Sequence, residues 1–581
     1  MNLIDRKTVA EYVHSFIPYL SIDQIENLIE RPPKEVNYTY ALPVFQLARH
    51  ERKAPHLIAK ELSQKMISTS LSLPEFLEDI KHEGPYLNFR LKPILILENI
   101  YQLKENYGRM REELENVNSN QKEMETNRVV VEYPSPNTNK PLHLGHVRNM
   151  LIGSSLSTLL DYKGNRVFQV NLNNDRGIHI CKSMLAYKKL GENEKPDIKP
   201  DHFVGKFYVK YNELEEQDPH FIEEAQKLLK KWEEKDPQTR ALWKKMNQWA
   251  VEGFEETYKK LGVSFDKQYF ESDYYWKGKE LVLKGYKDGI FEKTEDGAIV
   301  APLEETYNLP DKILLRSDGT AIYITQDIYL AYLKKKDFNY DDSIYVVGNE
   351  QNLYFKQLFA VLEMLGFKER KYHLSYGMIY LPEGKMKSRE GKVVDADDLI
   401  EEMKTIAYEE VDKRYPHLSK QEKLYRAESI GMAALKFFIL KISPKSDFVF
   451  DPEESISFEG ETGPYVQYVY ARIQSILEKS TFSLDLAIDT NLLNDDTELD
   501  LIKYLSYFPE IIDSAAKNYE IHLIPQYLLN LCQTFNSFYS KCPVIQADKE
   551  LQKARLLLIK CVQIVIQSAL HLIGIQTLEE M

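Results

Sequence analysis

The sequence predicts an α/β protein built on an open parallel sheet. A small α+β unit precedes the sheet, and an all-helical region follows it. Three observations carry that reading. Residues 128–172 run strand, loop, helix, strand. Strand-like and helical segments keep alternating between 281 and 400, the pattern of a parallel sheet. From about 405 to the end, helical periods continue with almost no strand signal.

The stretch 128–177 organises the rest. RVVVEY is β-branched and apolar and carries a carboxylate at Glu132, which marks a buried strand. Pro134, Pro136 and Asn137 break it into a loop. A helical period follows, with Val147, Met150, Leu151, Ser154, Ser155, Thr158 and Leu159 on one face. Gly164 stands where a helix C-terminal glycine belongs, and Arg166 to Leu172 is the next strand. The unit is expected to be parallel and right-handed. His143 and His146 flank Leu144-Gly145 just before the helix. Ligands of open parallel sheets bind there, where unpaired amides and the helix dipole favour phosphate. Gly145 lets a ring or a phosphate approach the backbone. By themselves these four residues read as readily as two surface histidines beside a tight turn.

A second motif lies downstream. Lys385, Lys387 and Arg389 fall between Gly384 and Gly391, and Lys392 follows at once, making a basic loop with Met386 and Ser388. It follows a strand-like run, KYHLSYGMIYL, and precedes the helical DADDLIEEMKTIAYEEV. Alone it would be a solvated charge run. In this order, the two motifs resemble those of class I aminoacyl-tRNA synthetases. The surrounding blocks are similar to arginyl-tRNA synthetases: VEYPSPNTNKPLHLGHVRN, LLRSDGTAIYITQD, GMIYLPEGKMKSREGK, ETGPYVQYVYARI and FNSFYSKCPV. The resemblance covers essentially the whole chain. It implies a Rossmann-like catalytic domain at 128–404 with a helical connective insertion at about 181–260. It also implies an N-terminal additional domain at 1–108, a linker at 109–127 and a helical anticodon-binding domain at 405–581.

Composition sets bounds. The chain has 581 residues, 43% of them apolar, enough for several cores. Cys181, Cys532, Cys542 and Cys561 show no metal-type spacing and read as reduced thiols of a cytoplasmic protein. The N-terminus lacks a basic-then-apolar targeting pattern. The apolar run Leu556 to Ile575 is interrupted by Lys560, Gln563, Gln567 and His571 at helical spacing, so it reads as a core helix and not a membrane span. A net charge of -14 argues against indiscriminate polyanion binding and predicts modest, salt-sensitive RNA affinity through local basic residues.

Taken in order, NYTYALPVFQLARHERKAPHLIAKELSQKM carries helical periods, and GPYLNFRL reads as a strand. Tyr86 and Asn88 are either packed edge-strand residues or, by resemblance, the pair that holds a tRNA D-loop base. Residues 110–127 are polar without period, as in a linker. In the insertion, Trp232, Trp243 and Trp249 read as packing, and resemblance puts its basic face at the acceptor stem. LLRSDGTAIYIT reads as a hairpin with a Ser-Asp-Gly turn, followed by the helix QDIYLAYLKKK. SIYVVGNEQ is a strand ending in polar residues, and LYFKQLFAVLEMLGF is a helix ending at Gly366. Resemblance places Tyr465, Tyr539 and Met581 near the anticodon, although tyrosines at this spacing, Tyr468 and Tyr470 included, are as often core. Lys553-Ala554-Arg555-Leu556 stands at the family's C-terminal signature and departs from its Asp-Ala-Leu-Arg form.

The chemistry implied is arginine activation by ATP, with Mg²⁺ accompanying the nucleotide and no protein metal site. Transfer to the terminal ribose of tRNA(Arg) follows, and family members usually need tRNA even for the first step. Phosphoryl transfer asks for positioning and charge compensation, which suits basic, Gly-rich motifs. The expected catalytic residues are Lys140, His143, His146, Lys385 and Lys387, and ATP also meets Gly145, Met386 and Ser388. Ser388 stands where the family's general loop has its second lysine, and Lys140 is the residue expected to take over that duty. A guanidinium is planar, always charged and rich in donors, so it calls for carboxylates. Glu132 and Asp327 match the family's guanidinium ligands, with Tyr323 lining the pocket, and Asn137 and Gln351 match residues fixing the α-amino and carboxylate ends. Asp327 could equally be a helix N-cap. Asn174-Asp175-Arg176-Gly177 departs from the family's usual Gly-Asp-Trp-Gly. A monomer without membrane attachment is the family expectation. Rival readings are another enzyme of the same fold, or a non-enzymatic RNA-binding relative, which should have lost the histidines or the basic loop.

Overall fold

A computed structural model of the chain describes residues 3–33, 36–68, 73–109, 126–191, 193–382, 394–480, 482 and 488–581. The linker stretch 110–125 and the basic loop 384–392 lie outside the described residues.

The N-terminal unit packs helices Arg6–His14, Ile22–Leu28 and Pro55–Ser68 with an antiparallel sheet of β1 (Tyr40–Pro43), β2 (Leu77–Glu83) and β3 (Tyr86–Leu91). The strand order is β1-β3-β2, so β3 is central and not an edge. The start of the stretch read as helical is strand β1. Thr39 and Tyr40 favour extended backbone, their neighbours Ala41 and Leu42 are buried, and Pro43 cannot continue a helix.

β4 (Arg128–Glu132), β5 (Arg166–Asn173) and β6 (Lys267–Phe270) follow. β7 (Glu292–Lys293), β8 (Ile299–Ala301) and β9 (Lys312–Leu315) form a small antiparallel sheet beside them. β10 (Asp342–Gly348) and β11 (Arg370–Tyr376) complete a five-stranded, all-parallel central sheet of order β11-β10-β4-β5-β6. The chain therefore runs outward from β4 through β5 and β6, then returns to the other side of β4 with β10. The crevice at the carboxyl ends of β4 and β10 is the switch point where such sheets bind ligands.

Between β5 and β6 lie four helices, Ile178–Leu190, Pro200–Gln217, Phe221–Glu233 and Pro237–Leu261. Trp232 is buried there, edge-on to Trp243, in the packing role its spacing suggests. Two segments depart from the sequence reading. KYHLSYGMIYL is not one strand: β11 ends at Tyr376, and Ile379–Tyr380 is a separate strand β12 paired with β13 (Phe448–Val449). Gly377 makes the break by pressing on the 446–447 backbone, where a Cβ would lie 2.8 Å from the Ser446 carbonyl. LLRSDGTAIYIT makes its turn, but the return arm contributes only the Leu315–Ala321 bridge. Thr325 ends it by accepting the Ile322 N–H at 3.2 Å and donating to the Leu314 carbonyl at 2.6 Å, which starts helix Tyr323–Phe338 at once.

The C-terminal region is helical, including Ala396–Arg414, Lys420–Leu440, Gly463–Glu478, Leu523–Lys541 and Lys549–Leu572. Lys549–Leu572 is long and apolar enough to cross a membrane by length and composition, and 83% of its apolar window is buried in the bundle. In the departing signature, Arg555 Nε donates to buried Glu498 at 2.7 Å and its guanidinium caps the Pro543 carbonyl, so the helix is intact. The four cysteines are buried and unpaired. The N-terminal unit is clasped to this bundle by Arg6 and Arg31, both on Glu510 at 2.7 and 3.1 Å.

Helix Leu144–Tyr162 links β4 to β5. The expected apolar face is buried apart from half-covered Ser154 and Thr158, but so are Leu144, Arg148, Asn149, Ile152, Leu156 and Tyr162 on the other faces. The reason is that the sheet covers one side and helices Lys420–Leu440 and Lys549–Leu572 meet the other. Gly153 allows the closest approach, since a Cβ there would sit 2.5 Å from the Tyr133 ring. Gly153→Ala should therefore cost about 1–3 kcal/mol, read by denaturant unfolding.

Candidate active site

β4 delivers Glu132 to the crevice, and the loop after it leads into helix Leu144–Tyr162. His143 is the N-cap of that helix. Its Nδ1 accepts the Gly145 N–H at 3.1 Å, and His146 Nδ1 accepts the His143 N–H at 3.2 Å. An imidazole whose Nδ1 accepts a backbone N–H carries its proton on Nε2 when neutral. Each ring thus keeps one N–H for a ligand. The rings lie 3.9 Å apart. Burial, helped by the charge of Lys140, pushes His143 down to about 4. Burial, His143 and Lys140 hold His146 well below the ordinary range. Both imidazoles are therefore neutral donors at pH 7. Burial also lowers Lys140, which has no ion-pair partner among the described residues.

Both ends of the basic loop are fastened to this helix. After the loop, the Leu144 N–H donates to the Val394 carbonyl at 2.9 Å, and the Ala396 N–H donates to the Leu142 carbonyl at 3.0 Å. Before it, buried Arg148 donates to the carbonyls of Gly377 (2.5 Å), Met378 (3.0 Å), Pro444 (3.0 Å) and Ser446 (2.8 Å). Lys385, Met386, Lys387 and Ser388 themselves lie outside the described residues.

The acidic residues meet in the crevice. Glu132 Oε2 accepts from Lys334 Nζ at 2.7 Å, with the side chains 8% and 1% exposed. Lys334 lies two helical turns beyond Asp327, whose carboxylate accepts the Tyr354 hydroxyl. Burial and the neighbouring Glu132 charge push Asp327 up to about 7, against the opposing Tyr354 bond and Lys334 charge. Asp327 is not an N-cap: Ile322 holds that position, and Asp327 sits in the second turn. The Tyr274 hydroxyl, whose ionisation both carboxylates oppose, is buried and bonds to nothing among the described residues, and the buried Tyr345 hydroxyl, opposed by the same two charges, lies beside Ser343. Asn137 is exposed after β4, bridging to Asn174, and Gln351 is exposed in the turn after β10. Tyr323, expected to line the pocket, is 74% exposed at the first residue of its helix.

Sequence reading missed three groups. Lys334 reads as one lysine in a basic helix tail, and only burial singles it out. Arg148 reads as an exposed polar residue beside the histidines. The third is a charge cluster behind the loop anchor. There Asp397 accepts from Lys199 and Lys260, each at 2.8 Å, and from His202 at 3.3 Å. Asp201, His202 and Asp397 have the spacing of a metal triad, but the two ammoniums already neutralise it.

Comparison with known proteins decides the family. The model for the class I (R) tRNA synthetase catalytic domain matches residues 110–452. The arginyl tRNA synthetase N-terminal domain matches 6–91, and the DALR anticodon-binding domain matches 466–581. An arginine–tRNA ligase of Treponema denticola is 42% identical over 580 residues, covering 95% of this chain and 94% of its own. One of Flavobacterium psychrophilum is 46% identical over 481 residues, covering 78% and 79%. The Thermus thermophilus arginyl-tRNA synthetase structure superposes with a TM-score of 0.81 at 27% identity, with full coverage of both chains.

The chain belongs to the arginyl-tRNA synthetase family. It is an ATP-using arginine–tRNA ligase with tRNA and arginine as its other substrates. In this synthetase Arg176, in place of the family's usual Trp, stacks 4.1 Å over Tyr275 and pairs with Glu271 (3.3 Å) and Glu233 (3.2 Å). It thereby ties the insertion to the crevice wall. The positions matched to tRNA contacts lie away from the crevice. Tyr86 and Asn88 share one face of β3, Tyr86 edge-on to Phe45 and Asn88 only 4% exposed. The Tyr465 hydroxyl accepts from Asn536. Tyr539 is exposed, stacked on Phe535 beneath Arg472, and Met581 packs against the bundle core.

The capping role of His143 can be read by mutation. His143→Ala should lower helix stability by about 1 kcal/mol through loss of the cap, whereas His143→Asn, a good capping residue, should keep most of it in thermal melts.

Proposed function

We propose that the crevice runs arginine activation with the roles its residues match, and that the Glu132–Asp327 pair beside the neutral histidine turn is the observation that carries this. The guanidinium enters between the two carboxylates. Lys334 engages Oε2 of Glu132 and Tyr354 engages Oδ2 of Asp327, which leaves Oε1 and Oδ1 for two N–H groups of one plane. Asn137 and Gln351, at the mouths of β4 and β10, take the α-amino and carboxylate ends. Tyr323 swings from solvent to close over the side chain. The substrate carboxylate then faces the N-terminus of helix Leu144–Tyr162, where the α-phosphate of ATP is held.

The reaction is an in-line displacement: the arginine carboxylate oxygen bonds to the α-phosphorus, and the bond to the pyrophosphate oxygen breaks. The Nε2–H groups of His143 and His146 donate to phosphate oxygens without adding a positive charge that would repel Lys140. Lys140, Lys385 and Lys387 compensate the developing negative charge, and Gly145, Met386 and Ser388 contact the nucleotide. Mg²⁺ accompanies the ATP phosphates. The described carboxylates near the histidine turn, Asp395 and Asp397, are committed to lysines and His202, which does not suit a protein-held divalent ion. The adenylate next passes its arginyl group to the terminal ribose of tRNA(Arg). Tyr86 and Asn88 hold the D-loop, and Tyr465, Tyr539 and Met581 meet the anticodon. The enzyme works as a cytoplasmic monomer, with no membrane partner.

Two outcomes test this in ATP–pyrophosphate exchange with tRNA present. Asp327→Asn should raise the arginine KM roughly 30-fold, about 2 kcal/mol, with the ATP KM little changed. Glu132→Gln is the blunter test, because it also strands Lys334. With Asp327 pushed up to about 7, its carboxylate is present above that pH and gains a proton below it. The wild-type arginine KM should therefore climb as pH falls through about 7, and the Asp327→Asn KM should stay flat. Lys140→Ala should lower kcat by about 100- to 1000-fold while leaving the arginine KM near the wild-type value.

A further inference from the structure

The arginine pocket contains a cation of its own. Lys334 Nζ lies 2.7 Å from Glu132 Oε2 and 3.4 Å from Ser343 Oγ, and it stands 3.8 Å over the Tyr345 ring. Its side chain is 1% exposed, so solvent does not screen it. A buried lysine beside a binding site for a cationic substrate is at first sight a poor arrangement, because it repels the ligand. Charge balance resolves this. Two carboxylates within reach of one another cannot both stay ionised in a buried crevice without a nearby positive charge. The guanidinium supplies one cation when bound. The second must be built in, or the empty pocket will hold a proton that arginine has to expel.

We propose that Lys334 is a positioning residue for arginine: it pins one oxygen of Glu132 and keeps the Glu132–Asp327 pair open and ionised for the incoming guanidinium. With the substrate bound, the two carboxylates face two cations and the pocket is neutral. The same contact fixes geometry, since it engages Oε2 of Glu132 and leaves Oε1 for the substrate. The charged and titratable groups facing Asp327 come from every neighbouring element. They are Lys334 on its own helix, Glu132 on β4, Tyr345 on β10, Tyr354 on helix Asn352–Met364, and Glu271 with Tyr274 after β6. Lys334 is the cation among the named set that pulls the carboxyl toward its ionised form, and Arg176 offsets Glu271. The inference rests on the guanidinium site proposed above.

The test is the pH profile of the arginine KM, in exchange with tRNA present, between pH 6 and 8.5 or so. Lys334→Gln keeps a hydrogen bond to Glu132 but removes the charge. It should move the midpoint of the KM rise upward by about one pH unit or more, since loss of an adjacent cation raises a carboxyl pKa. At pH 7 a shift of one unit should raise the KM about fivefold, and the KM should recover as pH increases, with the ATP KM unchanged. A merely structural lysine would raise the KM by one factor at every pH and leave the midpoint in place, and that result overturns the proposal. Glu132→Gln with Lys334→Met removes the buried pair together and guards against a misfolded single variant. With both charges gone, the midpoint should return close to the wild-type value, and a midpoint that stays displaced overturns the proposal. Asp327→Asn separates the two levels. If it fails to abolish the wild-type midpoint, the guanidinium site is wrong. If it abolishes the midpoint while Lys334→Gln leaves it unmoved, only the role of Lys334 is wrong.

Discussion

Arg148 sits in the second turn of helix Leu144–Tyr162, fully buried, with no carboxylate bonded to it among the described residues. Burial pushes its guanidinium down to about 10, and its charge is solvated by backbone carbonyls from two separate segments. A buried cation is costly unless it is solvated, so the carbonyls around its two terminal nitrogens are held where Arg148 needs them. The segments are 377–378, which leads into the basic loop, and 443–446, which belongs to the helical C-terminal region. The same helix begins with the capping histidines and is laced to Val394–Ala396 beyond the loop. One helix therefore fixes the histidine turn, both anchors of the basic loop and the joint to the helical bundle. It can do so because it is buried on nearly every side.

The two halves of the site handle charge in opposite ways. At the histidine turn, burial makes both imidazoles neutral, so the nucleotide site proposed there offers imidazole N–H donors and the Lys140 ammonium, the first amides of the helix being already paired. In the acidic crevice, the charges are opposed in pairs before substrate arrives, Glu132 with Lys334 and Glu271 with Arg176. Asp327 accepts the Tyr354 hydroxyl instead, with the Lys334 charge nearby. Phosphoryl transfer calls for uncompensated positive potential where negative charge grows, whereas a permanently cationic side chain calls for a pocket whose balance closes only when that side chain is present.

The chain's net charge of -14 fits this local economy. Many lysines and arginines are committed to internal pairs, as with Lys199 and Lys260 on Asp397 and Arg555 on Glu498. Such pairs shape the protein without adding to an attractive surface. Cations with no such partner among the described residues, Lys140 included, then matter more for a polyanionic ligand than the total suggests.

Periodicity and turn chemistry by themselves determined the parallel unit around β4 and β5, the helical insertion, the buried helix at Lys549–Leu572 and the place of His143 just before a helix, whereas Glu132 and Asp327 were singled out as guanidinium ligands by resemblance. These are local properties: a β-branched run buries as a strand, and prolines end it. The central position of β3, the break at Gly377 and the short return arm before Tyr323 were decided by neighbours far along the chain. The same holds for Lys334 and Arg148. Nothing in a run of lysines tells which one turns inward. That depends on a carboxylate 202 positions away being brought to the same crevice. Sequence spacing encodes which faces are apolar, whereas the partner of a buried charge is chosen only when the sheet order closes, because that pairing needs low dielectric and contact at once.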